Sequence, residues 1–69
     1  MPESTYKIIE IVGTSTESWE QATRNAVQKA SETLKDMRIA EVTKLDVTVA
    51  DGQVQKFRTR LSVSFKYMK

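Results

Sequence analysis

The chain has 69 residues, 11 basic and 9 acidic side chains, a net charge of +2, and neither histidine nor cysteine. That length fits one domain over residues 1–69, with a core too small to be secure alone. The missing residue types exclude disulfide staples, thiolate metal sites, imidazole ligands and histidine proton shuttles.

Residues Met1 to Ser4 read as a short loose arm with no apolar signal core. No apolar run approaches membrane-spanning length. A soluble, cytoplasmic protein with no membrane partner is the expectation. Thr5 to Val12 forms a first strand, rich in β-branched residues. Ile9 and Ile11 point to one face; Tyr6, Ile8 and Val12 point to the other, so both faces are candidates for burial. Glu10 stands out as a carboxylate among apolar neighbours, near a rim or paired.

Gly13-Thr14-Ser15-Thr16 reads as a break after that strand. Ser18 followed by Gln21 is a capping-box pattern, and Glu17 and Glu20 suit a helix start. Apolar residues then fall at Trp19, Ala22, Ala26, Val27, Ala30, Leu34 and Met37, in steps of three and four. This predicts a helix from Trp19 to Met37 with one stripe toward the core. Alanine in the middle of the stripe allows close approach to a sheet. Glu20, Arg24, Lys29, Glu32, Lys35 and Asp36 form the solvated side.

Ile39 to Val49 is a second strand. Strict alternation places Ile39, Leu45, Val47 and Val49 on one face with Glu41 and Thr43. Ala40, Val42, Lys44, Asp46 and Thr48 take the other. Ala50-Asp51-Gly52-Gln53 is a hairpin connection, since Asp-Gly is a strong two-residue turn signal. The third strand, Lys56 to Tyr67, alternates Phe57, Leu61, Val63, Phe65 and Tyr67 against Lys56, Arg58, Arg60, Ser62, Ser64 and Lys66. An apolar face backed by a wet, basic one fits antiparallel pairing.

The element order is β-α-β-β, an α+β fold. A three-stranded antiparallel sheet in order 1-3-2, with one helix on one face, satisfies the hairpin and the crossover. At about 3.3 Å per residue the third strand is roughly 40 Å long. A compact domain of this size has a radius of gyration of about 11 Å. One end of the strand therefore overhangs its own core, and another copy of the chain is the expected cover.

Asp46 sits mid-strand, where aspartate is depleted. It is a candidate metal ligand; the simpler reading is a salt bridge to Lys44, Arg58 or Arg60, or a bulge. Glu10 is a second candidate ligand, with pairing to a basic residue as its simpler reading. In a 1-3-2 sheet the central strand separates the two. Glu41 fits an ion pair between subunits. Lys56, Arg58, Arg60 and Lys66 form a basic ladder that could take phosphate or nucleic acid, or a network with acidic residues. Nucleic acid is disfavoured because the aromatics and the basics alternate onto opposite faces. Trp19 fits packing or an interface. No pair of carboxylates, lysines, tyrosines or hydroxyls has catalytic spacing, so the chain reads as non-enzymatic with no catalytic residue.

The run Tyr6-Lys7-Ile8-Ile9-Glu10-Ile11-Val12-Gly13-Thr14-Ser15 resembles the opening of the dodecin family. The similarity continues through a helix of matching length, the Glu41-Val42 pair, the Asp51-Gly52 hairpin and the closing Val63-Ser64-Phe65. It implies a dodecin-like fold and a hollow homododecamer that stores a small ligand or ion. Flavin-binding dodecins resemble this chain but carry a Trp just before the Glu-Val pair, where this chain has Ile39, and a Gln in strand three, where it has Arg58. Ile39 offers no π face, so the resemblance implies that flavin binding is weak or absent. The calcium-dodecin branch is more similar, in Ser18-Trp19-Glu20-Gln21, an aliphatic residue at position 39, Asp46, Phe57-Arg58 and Ser64-Phe65-Lys66. It implies calcium, with oxygen ligands gathered from several subunits. Flavin storage and polyanion binding through the arginines remain the alternatives.

Overall fold

The computed structural model describes residues 5–66. The arm at 1–4 and the strand end at Tyr67 lie outside them. Four elements follow in order: β1 (Tyr6–Ser15), α1 (Trp19–Ala30), β2 (Met37–Ala50) and β3 (Gln53–Lys66). The sheet order is β1-β3-β2 and both pairings are antiparallel, as expected.

The hairpin forms as the Asp-Gly pair predicts. Ala50 pairs with Gln53, and Asp51 (φ 55°) and Gly52 (φ 73°) both take the left-handed conformation. Two positive φ angles in a two-residue loop define the type I′ turn, whose twist matches the strands it joins.

The break expected at Gly13 does not occur. β1 runs on to Ser15, with Gly13 opposite Thr59 and Ser15 opposite Phe57. Gly13 is there because α1 lies directly on it. A Cβ at this position would run into the Ala22 carbonyl oxygen and come within 2.7 Å of the Ala26 Cβ. The alanine stripe achieves the close approach expected of it.

The N-terminus of α1 is the one the capping pattern predicts. Ser18 Oγ accepts from the Gln21 backbone N–H at 2.9 Å. Gln21 turns its amide to Asn25 rather than back to the cap, so half the box forms. The helix is shorter than its periodicity suggests: it ends at Ala30, not Met37. Ser31 and Thr33 hydroxyls donate to the Gln28 and Ala30 carbonyls, and Asp36 (φ 58°) turns the chain into β2. Such local hydroxyl bonds compete with the helical ladder. Leu34 packs past the helix end and Met37 begins the next strand, so the three- and four-residue spacing outlives the helix.

β2 departs from strict alternation. Its register shifts between Met37 and Ile39 and again between Val42 and Lys44. Thr43 is the extra residue at the second bulge; its hydroxyl donates to the Arg60 carbonyl. A bulge reverses the facing of everything beyond it. Ala40, Val42, Leu45 and Val47 consequently share the helix side with Val63, Leu61, Thr59 and Phe57. Ile39, Glu41, Lys44, Asp46 and Thr48 share the opposite face. The expected grouping of Ile39 with Leu45 and Val47 is therefore incorrect.

The core lies between α1 and the β1–β3 half of the sheet. Ala22, Leu61 and Val63 have no exposed surface, and Ile9, Ile11, Val27 and Met37 pack around Ala26, Leu61 and Val63. Each buried Leu or Val side chain is worth about 1.5–3 kcal/mol, so this core is a modest one. Only one face of β1 is covered: Tyr6, Ile8 and Val12 stay exposed. The molecule measures 55 × 20 × 15 Å with a radius of gyration of 14.3 Å, well above the roughly 11 Å of a compact domain. The expected overhang is present.

Candidate functional site

The candidate site residues converge on the sheet face away from the helix. β3 sets the frame, because its even positions Lys56, Arg58, Arg60, Ser62, Ser64 and Lys66 all point there. The neighbouring strands bring Asp46 opposite Arg58, Lys44 opposite Arg60, Glu41 and Glu10 on either side of Ser62, and Ile39 opposite Ser64.

Asp46 and Arg58 form a bidentate pair. Arg58 Nε donates to Asp46 Oδ1 at 2.7 Å, and Arg58 Nη2 donates to Oδ2 at 3.0 Å. The two-pronged geometry makes this the strongest class of side-chain ion pair. The Arg58 hydrogen bond holds the Asp46 carboxyl below its ordinary range, and Asp46 in turn raises Arg58. The salt-bridge reading of Asp46 is the one the structure bears out. Both groups are partly solvated, so the pair orders the face more than it stabilises the fold.

Glu10 is held more loosely. Its Oε1 lies 3.9 Å from Arg60 Nη1, beyond hydrogen-bond range, and its side chain is largely exposed. Glu10 and Asp46 do not meet. They flank opposite edges of β3 four positions apart, roughly 13 Å along the strand. Among the described residues no three acidic side chains gather at one point. Ile39 stands bare on the same face, 66% exposed. Arg58 lies six β3 positions from Ile39's partner Ser64, roughly 20 Å along the strand. One small ligand cannot touch both within a single chain.

Trp19 has a role that the spacing alone did not reveal. Its indole N–H donates to the Asp46 backbone carbonyl at 3.0 Å, and its ring meets Phe57 edge-on at 5.1 Å. Its own carbonyl accepts from the buried Thr59 hydroxyl. The start of α1 is thereby tied to β2 and β3 beside the Asp46–Arg58 pair. A tryptophan at a helix N-terminus was the only available signal, and it did not name the partner.

On the helix side a groove of about 630 Å³ opens between the β1 edge and the end of α1. Ile9, Ile11, Ala26, Ala30 and Leu34 line it, with Lys29 and Glu32 paired to each other at 3.6 Å on its wall. Among the described residues no helix is long and apolar enough to cross a membrane.

Known proteins share this fold. The chain is 46% identical over 63 residues to the calcium dodecin of Mycobacterium tuberculosis, covering 91% of this chain and 89% of the relative. The crystal structure of the calcium-chelating calcium dodecin from that organism superposes with a TM-score of 0.84 at 45% identity, covering 94% of this chain and 93% of the other. The structure of dodecin from Streptomyces coelicolor gives a TM-score of 0.93 at 39% identity, covering 100% and 99%. The family model described as dodecin matches residues 5–68. On the element order, the sheet topology and these likenesses, the chain belongs to the dodecin family.

Proposed function

We propose that this chain is the subunit of a non-enzymatic homo-oligomer, a hollow dodecamer, that binds and stores calcium rather than flavin. The observation that carries the reading is the 46% identity to a calcium dodecin along nine tenths of the chain. Two features of the sheet support it. Ile39 presents an aliphatic side chain where flavin stacking would need a π face. Arg58, at the other flavin-site equivalent, already spends its guanidinium on Asp46.

Calcium takes six to eight oxygens. A single chain does not assemble them among its described residues, so the ion sits where several copies meet. Glu10, exposed and loosely paired, is the ligand we favour. Asp46 contributes a ligand only by giving up part of its hold on Arg58. The same pairing weighs against the polyanion alternative, because it neutralises the centre of the basic ladder.

Calorimetric titration with Ca²⁺ and, separately, with riboflavin and FMN tests the choice of ligand. Saturable calcium binding that weakens in Glu10→Gln is expected. Tight flavin binding with no calcium signal overturns the reading. Size-exclusion chromatography with light scattering tests assembly, and a monomer at micromolar concentration counts against it.

A further inference from the structure

The helix covers only part of its side of the sheet. Along β2 the residues on that side are Ala40, Val42, Leu45, Val47 and Val49, an uncharged strip about 30 Å long. Val54, paired with Val49 in the hairpin arm, extends it. Val42, Leu45, Val49 and Val54 are all exposed. The opposite edge of the same chain carries the groove between β1 and α1, lined mostly by apolar side chains.

We propose that the β2 strip of one copy packs into the β1–α1 groove of the next, so that subunits join head to tail. The inference rests on the homo-oligomeric reading above and adds which surfaces meet. Two observations select a second copy as the occupant. The chain exposes 5395 Å², against about 4,400 Å² for a compact protein of its mass. The excess matches the roughly 800 Å² that each partner buries in a standard interface. Charge agrees as well: the strip has no ionisable group, and Lys29 and Glu32 on the groove wall neutralise each other. A neutral strand face suits that groove better than a charged small molecule does.

The contact is between side chains, not a continuation of the sheet. Bulges at Arg38 and Thr43 interrupt the free edge of β2 and spoil it as a hydrogen-bonding template. Two different patches meeting make a heterologous contact, which forms a ring when the rotation between copies closes and an open filament when it does not.

The absence of cysteine allows an unambiguous test. The double variant Leu45→Cys with Ala30→Cys is oxidised in its assembled form and run on a non-reducing gel. The two positions lie at opposite edges of one chain, so any cross-link joins copies. A ladder of covalent multimers is expected from the double variant, and a single monomer band from each single variant. Dimers from Leu45→Cys alone mean that strips meet each other, and overturn the proposal. So does an intact oligomer that gives no ladder. Light scattering separates these outcomes from a plain monomer, which removes the homo-oligomeric reading together with this one. Leu45→Lys provides a second check at an exposed position: the particle mass is expected to fall while the far-UV circular dichroism of the subunit persists. An unchanged mass overturns the proposal.

Discussion

Trp19 and Asp46 stand 27 residues apart, and the indole N–H of one donates to the backbone carbonyl of the other. The bond runs from the first residue of α1 to the strand that α1 covers least. It closes the helix onto β2 at the point where the Asp46 side chain, on the far face, grips Arg58.

Trp19→Phe keeps an aromatic ring against Phe57 and removes the donor. A loss of about 0.5–1.5 kcal/mol is expected, the net worth of one such hydrogen bond. Trp19→Ala also removes the ring contact. Because Trp19 is 38% exposed, its loss should be nearer 2 kcal/mol than the 3–5 of a fully buried aromatic. Urea denaturation at fixed protein concentration, followed by circular dichroism, checks the order. Equal losses would show that the bond, not the ring, holds the helix.

The Asp46–Arg58 pair gives stability a definite dependence on acid. Asp46 is held below its ordinary value of 3.8, first by the Arg58 hydrogen bond. A carboxyl lowered in the folded state contributes in full above its unfolded value, and the contribution disappears as pH falls through the folded value. The stability difference between the native chain and Asp46→Asn should therefore be flat from neutral pH down to about pH 4 and shrink below it. A difference that instead grows on acidification would contradict the pairing.

Much of this was legible in the residues. The alternation of β3, the Ser18 cap, the Asp51-Gly52 turn and the 1-3-2 order follow from local rules that the tertiary structure does not override. Three features escaped for separate physical reasons. Gly13 looks like a turn when taken alone, and only the helix above it explains the missing side chain. The spacing through Leu34 and Met37 looks helical, although Met37 reaches the core from a strand and Leu34 lines the groove beyond the helix end. Thr43 carries no local sign of a bulge, so the faces of β2 were assigned one step out. The ladder Lys56, Arg58, Arg60 and Lys66 was legible because β3 keeps strict alternation across it; the partner of Trp19 was not, because a contact across 27 residues leaves no periodicity.

Gly13→Ala tests the close approach of helix and sheet. The new methyl meets backbone at the Ala22 carbonyl, and backbone cannot swing aside as a side chain can. A loss of about 1–3 kcal/mol is expected, the usual range for overpacking. Denaturant midpoints at fixed concentration measure it. Full stability in the variant would mean that α1 can lift from β1 at no cost.

The proposed preference for calcium over flavin is tested by substitution at Ile39 and Arg58. The native chain should leave riboflavin fluorescence unquenched at micromolar concentration. Ile39→Trp returns a π face to each exposed Ile39 position, and a stacked pair contributes about 0.5–1.5 kcal/mol beyond the area buried. Stacking on both sides of one ring system would then tighten flavin binding by roughly tenfold. Adding Arg58→Gln restores an amide and releases Asp46 from its bidentate partner, so the double variant should bind more tightly still and titrate Asp46 closer to its ordinary value. Fluorescence quenching reads the first effect, and the acid limb of the stability curve reads the second. If flavin affinity stays unchanged in an intact oligomer of the double variant, position 39 does not face a ligand, and the exposed isoleucine belongs to a contact between subunits instead.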